Sequence, residues 1–454
     1  MATTISGNSS DADHLCVLVH GLWGNPSHLN YVASALRKRH GEDRLHILSA
    51  KGNSGNLTYD GIETGGERLA HEIEQTLDDL SSKGQNIKKL SMVGYSLGGL
   101  VARYAIGLLH AHGWLDKLEP VNFTTFASPH VGVRMPLKGI TNTVFNVMGP
   151  RTISISGHQL FMVDSFRDTG RPLLSVLADP ESIFIKGLAK FQHRAVYANI
   201  RNDRSVIFYT AALSTVDPFQ DLENMNINYV EGYEQVIIDP DVYVLPPAKK
   251  EPESIVSRIW NRTKSLLIWI PLSMLILLLL PLALIIFFIN AAIQTFRSRK
   301  RIRRHGEGKN GALFGRYKVP LLVQNVQHAV EEVFENVNAR QAPAYLSGEP
   351  SALEAAAKKK SLHVPRPGSS GQSNTDTASA SIDGSTICPS PTLALTAEQF
   401  EIIESLNAVG FHKYPVHIHK HRHTHAAIIF RIPKDGHAEG KLVIKHWLDN
   451  EFAV

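Results

Sequence analysis

The sequence predicts an α/β protein with a mostly parallel sheet and helices on both faces, and three observations carry that prediction. Short apolar runs rich in Val and Leu alternate with stretches of helical period, as strands buried on both faces and their crossover helices require. The stretch Leu90-Ser91-Met92-Val93-Gly94-Tyr95-Ser96-Leu97-Gly98-Gly99-Leu100 reads as a buried strand, a sharp turn at Ser96 and the start of a helix. A serine on such a turn projects its hydroxyl beyond the end of the sheet, while Gly94 and Gly98 let helix and strand approach, so the stretch is a nucleophile elbow. Upstream, Val17-Leu18-Val19-His20-Gly21-Leu22-Trp23-Gly24 matches it as a second strand that ends in a glycine-containing turn.

The elements follow in order. His14 to Val19 is an apolar strand, and Ser27 caps a helix in which Leu29, Val32, Ala33 and Leu36 share a face. Arg44 to Ser49 supplies the next strand, and Thr64 to Leu80 forms an amphipathic helix with Leu69, Ile73 and Leu77 one turn apart. After the elbow helix, Val121 to Ala127 is a strand closed by Ser128-Pro129-His130. Between Arg134 and Phe191 the pattern is helical, and its short apolar segments either form a lid over the site or pack as ordinary helices. His193 to Ile200 returns to strand character and runs into Arg201-Asn202-Asp203, a polar turn at a strand end, where doubly wound folds carry functional groups.

Composition bounds the function. The 454 residues carry a net charge of +5, and Arg297, Arg299, Lys300, Arg301, Arg303 and Arg304 account for all of it, leaving the rest near neutral. The basicity is a local patch rather than a face spread over a domain, which argues against nucleic acid as a partner. Two cysteines, Cys16 in a buried strand and Cys388 in a polar stretch, make no disulfide framework. Met1 to Asp13 is polar and shows no signal peptide.

The 32 residues from Ser265 to Phe296 carry no charge. Fully helical, they would extend about 48 Å, beyond a ~30 Å hydrocarbon core. Pro271 and Pro281 weaken a continuous helix, and Pro281 divides the run into arms of about 22 and 18 Å, neither of which crosses a bilayer. Basic residues flank both sides, at Arg258, Arg262 and Lys264 and at Arg297 to Arg304, so the expectation is a hairpin that returns both ends to the cytosol. Val319 to Val337 reads as an amphipathic helix, and about 341–395 as a Ser-, Thr-, Gly- and Pro-rich disordered linker. Thr396-Ala397-Glu398-Gln399 is a capping-box signature, Tyr414 to His425 alternates like a strand, and Gly440 to Phe452 suggests a final helix. The expected division is a disordered N-terminus 1–13, a core 14–245, a membrane hairpin with basic flank 246–310, an amphipathic helix 311–340, the linker, and a C-terminal part of the core 396–454.

Acyl transfer needs a nucleophile, a base, a residue that orients the base, and oxyanion donors. Ser96 is the nucleophile, and the backbone N–H groups of Leu97 and Leu22 are the oxyanion donors. The order Ser, Asp, His points to acidic residues at strand ends after the elbow, where Asp203 fits better than Asp164, Asp168, Asp179 or Asp217. For the base the chain offers 22 histidines. His417, His419, His421, His423 and His425 alternate, and on an extended strand would share one face as a metal site or a solvated basic edge. His425 is chosen as base because it abuts Ala426-Ala427-Ile428-Ile429-Phe430, with His423 as the competitor. No metal or other cofactor is required.

Val-His-Gly-Leu-Trp-Gly-Asn at 19–25, Gly-Tyr-Ser-Leu-Gly-Gly-Leu at 94–100, Ala-Ser-Pro-His at 127–130, Ala-Asn-Ile-Arg-Asn-Asp at 198–203 and His-Ala-Ala-Ile-Ile at 425–429 together resemble the serine esterase family of α/β-hydrolases. The resemblance is nearest to its fungal lipid-droplet phospholipase and monoacylglycerol lipase branch, over 14 to about 245 and 396–454. It implies the α/β-hydrolase fold, Ser96, Asp203 and His425 as triad, and acyl lipids as substrates. Residues 265–296 and the Arg297–Arg304 cluster would then hold the enzyme on a lipid droplet or the endoplasmic reticulum, its site facing the cytosol. A protein acyl-thioesterase with the same triad and a non-catalytic lipid-surface tether are the alternatives.

Overall fold

The computed structural model describes residues 12–41, 43–134, 146–147, 149–150, 154–222, 225–233, 235–245, 289, 292–304 and 392–454. Strand β1 (His14–Val19) pairs in parallel with β2 (Leu45–Ser49) on one side and β3 (Lys89–Tyr95) on the other. β4 (Glu119–Phe126), β5 (His193–Asn199) and β6 (His412–Val416) continue the sheet, all parallel, in the order β2-β1-β3-β4-β5-β6. The order reverses at β1, and in such sheets the carboxyl ends of the strands beside the reversal form the binding crevice. Ser96, after β3, and Leu22, after β1, therefore come to the same edge.

Helices cover both faces. On one, α1 (Asn30–His40) packs beside α6 (Gly440–Asn450), whose Trp447 is fully buried and donates its indole N–H to Thr124 Oγ1 at 3.0 Å. On the other, α2 (Gly61–Ser82), α3 (Leu97–Ala111) and α4 (Ile183–Ala189) pack together over Leu15, Val17, Leu90 and Met92. Every β1 residue is buried, as a doubly covered strand requires. This is an α/β-hydrolase-like architecture.

Several expectations change in detail. Asn25, not Ser27, caps the turn that leads into α1, its Oδ1 accepting from the Ser27 N–H at 2.9 Å. Of the lid candidates, α4 is core, Phe184 and Leu188 each being 1% exposed; in Leu160 to Val163, Leu160 and Phe161 are buried and Val163 is exposed; and the segment around Val144 lies outside the described residues. The C-terminal part joins the fold by residue 392 rather than 396, with Leu393 buried and its N–H donating to the Thr215 carbonyl. α5 (Ala397–Val409) opens with the expected capping box, Thr396 and Gln399 satisfying each other's backbone N–H.

Most of the proposed hairpin, the Val319 to Val337 helix and the linker as far as 391 lie outside the described residues. Among the described residues no helix is long and apolar enough to cross a membrane. The basic flank is described: 292–304 is helical and docked on the core.

Candidate active site

Ser96 sits at φ 57° and ψ −129°, a conformation most L residues avoid, between the last residue of β3 and the first of α3. Two glycines make this turn possible. A Cβ on Gly94 would meet Gly99 Cα at 2.4 Å, and one on Gly98 would meet the Val19 carbonyl oxygen at 2.2 Å, so strand and helix close up around the serine. The Ser96 N–H is spent on the Phe126 carbonyl at 3.0 Å. Leu97, the first helical residue, and Leu22 in the turn after β1 have N–H groups committed to no acceptor among the described residues, as oxyanion donors require.

β5 ends at Asn199 and delivers Asp203 to the same edge. The Asp203 side chain is 2% exposed. Its Oδ1 accepts from the N–H groups of Ser205 and Val206 at 3.0 and 2.8 Å, and its Oδ2 from Asn199 Nδ2 at 2.9 Å. Burial pushes the carboxyl up, but the His425 imidazole and these donors outweigh it and hold Asp203 below the usual carboxylate range.

His425 stands between the two, its Nδ1 2.9 Å from Asp203 Oδ2 and its Nε2 2.9 Å from Ser96 Oγ. Thr424, fully buried, donates its hydroxyl to the Arg201 carbonyl at 2.9 Å and so ties the histidine loop to the aspartate loop. Tyr95 lies alongside, its hydroxyl donating to the His425 carbonyl at 3.0 Å and its ring centroid 5.1 Å from the imidazole. Ile428 and Ile429, with no exposed surface, anchor the segment from below. A hydroxyl bonded to one imidazole nitrogen, with the other bonded to a buried carboxylate, can lose its proton to the ring as it attacks a carbonyl.

The five alternating histidines do not share a face. Extended pairing stops at Val416 because its partner β5 stops at Asn199, and beyond that the chain turns. His417 lies 2.9 Å from the Tyr229 hydroxyl and His419 meets the Gln235 carbonyl. His423 is exposed, its ring centroid 5.8 Å from that of His421, and the imidazole bonded to Ser96 is that of His425. Among the described residues no three His, Cys, Asp or Glu side chains converge as a metal site.

Arg103 on α3 was not singled out in the sequence. It is 1% exposed, donates to the carbonyls of Leu177 and His130 at 3.0 and 3.4 Å, and burial lowers its pKa to about 9. It stitches the elbow helix to the loop after β4. Its only sequence signal is a cation on an otherwise apolar helix face.

Residues 9–215 match the family described as "Putative serine esterase (DUF676)". "Putative lipase ROG1" of Saccharomyces cerevisiae is 35% identical over 219 residues, 47% of this chain and 30% of its own. "Putative lipase YDL109C" of the same yeast is 31% identical over 222 residues, 48% of this chain and 32% of its own. These matches span about a third of each relative's length. A solved lipase-esterase related protein from Clostridium acetobutylicum is 14% identical, with a TM-score of 0.26, over 44% of this chain and 80% of its own.

Proposed function

We propose, from the match of residues 9–215 to this serine esterase family, that the chain is a membrane-attached serine hydrolase that cleaves the acyl ester bonds of glycerolipids. The observation that carries the reading is the unbroken hydrogen-bonded line from Ser96 Oγ through His425 to the buried Asp203. In the proposed reaction Ser96 Oγ attacks the acyl carbonyl and passes its proton to His425 Nε2. The oxyanion gathers at the Leu22 and Leu97 N–H groups, and Asp203 holds the imidazole in the tautomer with Nδ1 protonated and balances the imidazolium. His425 then gives its proton to the leaving alcohol. Water, deprotonated by the same ring, releases the fatty acid and restores Ser96.

Lipid as substrate is favoured by the uncharged stretch 265–296 and the cations after it, and by the word lipase in the names of the relatives. The fold also constrains how that stretch meets a membrane. β5 precedes it and β6 follows it, yet the two strands pair along their length. That pairing favours a stretch that enters and leaves lipid on one side, so we read 265–296 as a hairpin in one leaflet or a lipid-droplet monolayer. The expected setting is a lipid droplet or the endoplasmic reticulum, with the site in the cytosol.

Purified full chain assayed on monoacylglycerol, phospholipid and an acylated protein tests the proposal. Acyl release from glycerolipids, lost in Ser96→Ala, is expected. Release from the acylated protein alone would move the activity to a thioesterase, and release from none would leave the reading without support.

A further inference from the structure

Asp60, at the start of α2, is a carboxylate with no exposed side-chain surface, and its partners come from a distant part of the chain. Arg68 Nη2 donates to it at 2.8 Å from within α2. From 292–304, Ser298 Oγ donates at 2.7 Å and Arg301 makes a fork, Nη2 at 2.6 Å and Nε at 3.1 and 3.0 Å to the two oxygens. A two-pronged guanidinium on a buried carboxylate fixes direction as well as distance.

This latch turns the helix inside out. Gln294 and Ser298, with Arg301 one turn further, face the core at 7% and 0% exposure for the first two, while Ile293 and Phe296 face outward at 44% and 72%. Arg297, Arg299, Lys300 and Arg304 are exposed, and none has a carboxylate partner among the described residues. No acidic residue occurs between 254 and 306. The latch also links this helix to the neighbourhood of the proposed active site. The Tyr59 carbonyl accepts from Ser298, and the Tyr59 ring lies 6.4 Å from that of Trp23, next in sequence to the proposed oxyanion donor Leu22 and 53% exposed.

We propose that the outward face of 292–304 and Trp23 form one docking rim for an anionic phospholipid surface, and that the Asp60–Arg301 latch turns the active site toward that surface. The inference rests on the lipid-hydrolase reading for its purpose. The occupant follows from the chemistry: unpaired cations suit lipid phosphates, exposed Phe and Ile side chains suit the acyl boundary, and tryptophan favours the interface between them. In sequence, the uncharged stretch runs directly into the helix.

An environment-sensitive fluorophore on single cysteines tests the rim without reference to activity. The full chain would carry Cys388→Ser, leaving buried Cys16, and the label would be placed by Trp23→Cys, Phe296→Cys or Asp79→Cys, the last at the far end of α2. Phosphatidylcholine vesicles containing phosphatidylserine should blue-shift the labels at 23 and 296 and leave that at 79 unchanged. Arg301→Gln, or Ser298→Val as a second way to break the latch, should abolish the shift at 23 and keep it at 296. A label at 23 that ignores vesicles, shifts before they are added because another segment or a second copy covers it, or keeps its shift without the latch overturns the docking rim. Failure of the same preparations to cleave a soluble short-chain ester would instead count against the hydrolase reading.

Discussion

The hydroxyl of Thr424 donates to the backbone carbonyl of Arg201, 2.9 Å away and 223 residues earlier in the chain. It joins the loop that carries His425 to the loop that carries Asp203, so a residue outside the Ser96–His425–Asp203 line helps to hold the proposed base and acid together. Thr424→Val, nearly the same shape, should lower kcat about 10- to 100-fold through misplacement of the imidazole. It should cost about 1–3 kcal/mol of stability for the carbonyl left without its donor. Turnover and urea denaturation measured on the same preparation check both effects, and wild-type kcat would remove the positioning role.

The two candidate bases differ in place. His425→Ala should cost about 10³-fold or more in turnover, as loss of a triad member does. His423→Ala should cost little, since the His423 ring is exposed against His421. Kinetics of the two variants on a soluble ester decide the matter, and the reverse ranking would move the base to His423.

Acid should unfold the protein through buried histidines. Burial lowers His14 and His446 to about 4, so both stay neutral in the fold while the unfolded chain takes up protons near 6.5. From about pH 6.5 down toward 4 the unfolded state therefore binds more protons, and stability falls with pH by at most about 3 kcal/mol for each group. His446→Gln should make that decline shallower, as read from urea midpoints across the range. An unchanged slope would mean that other groups carry it.

Buried Arg103 has only neutral carbonyl partners among the described residues. Arg103→Ala leaves a cavity and two carbonyls without donors, and should destabilise by about 3–5 kcal/mol. Arg103→Met, which fills the space, should recover part of that loss. Equal melting temperatures for both variants and wild type would contradict the stitching role.

Much of the architecture was legible because the inner strands β1, β3 and β4 are almost wholly buried and α1 and α2 each have one apolar face. β1 was bounded to the residue, and the elbow was readable because only glycine fits at 94 and 98. Ser96, Asp203 and His425, chosen from the elbow motif, chain order and the apolar run after the histidine, stand in one line, with His425 2.9 Å from each of the other two. What escaped the sequence were effects of tertiary pairing. The histidines at alternate positions looked like a strand, but a strand continues only while its neighbour does, and β5 stops first. Thr424 and Arg103 act through carbonyls far away in sequence, which no local pattern records. The latch at Asp60 was equally hidden, since a run of cations reads as a solvated patch until Arg301 is seen on a buried carboxylate.

The central claim is that Ser96 is a nucleophile activated by His425 and Asp203, and a fluorophosphonate probe tests it most directly. Intact-mass and peptide mass spectrometry of the full chain after labelling should find one phosphonyl adduct, on Ser96. Labelling should vanish in Ser96→Ala and slow steeply in His425→Ala and Asp203→Asn. An unlabelled wild-type protein, or an adduct that persists after Ser96→Ala, would contradict the account.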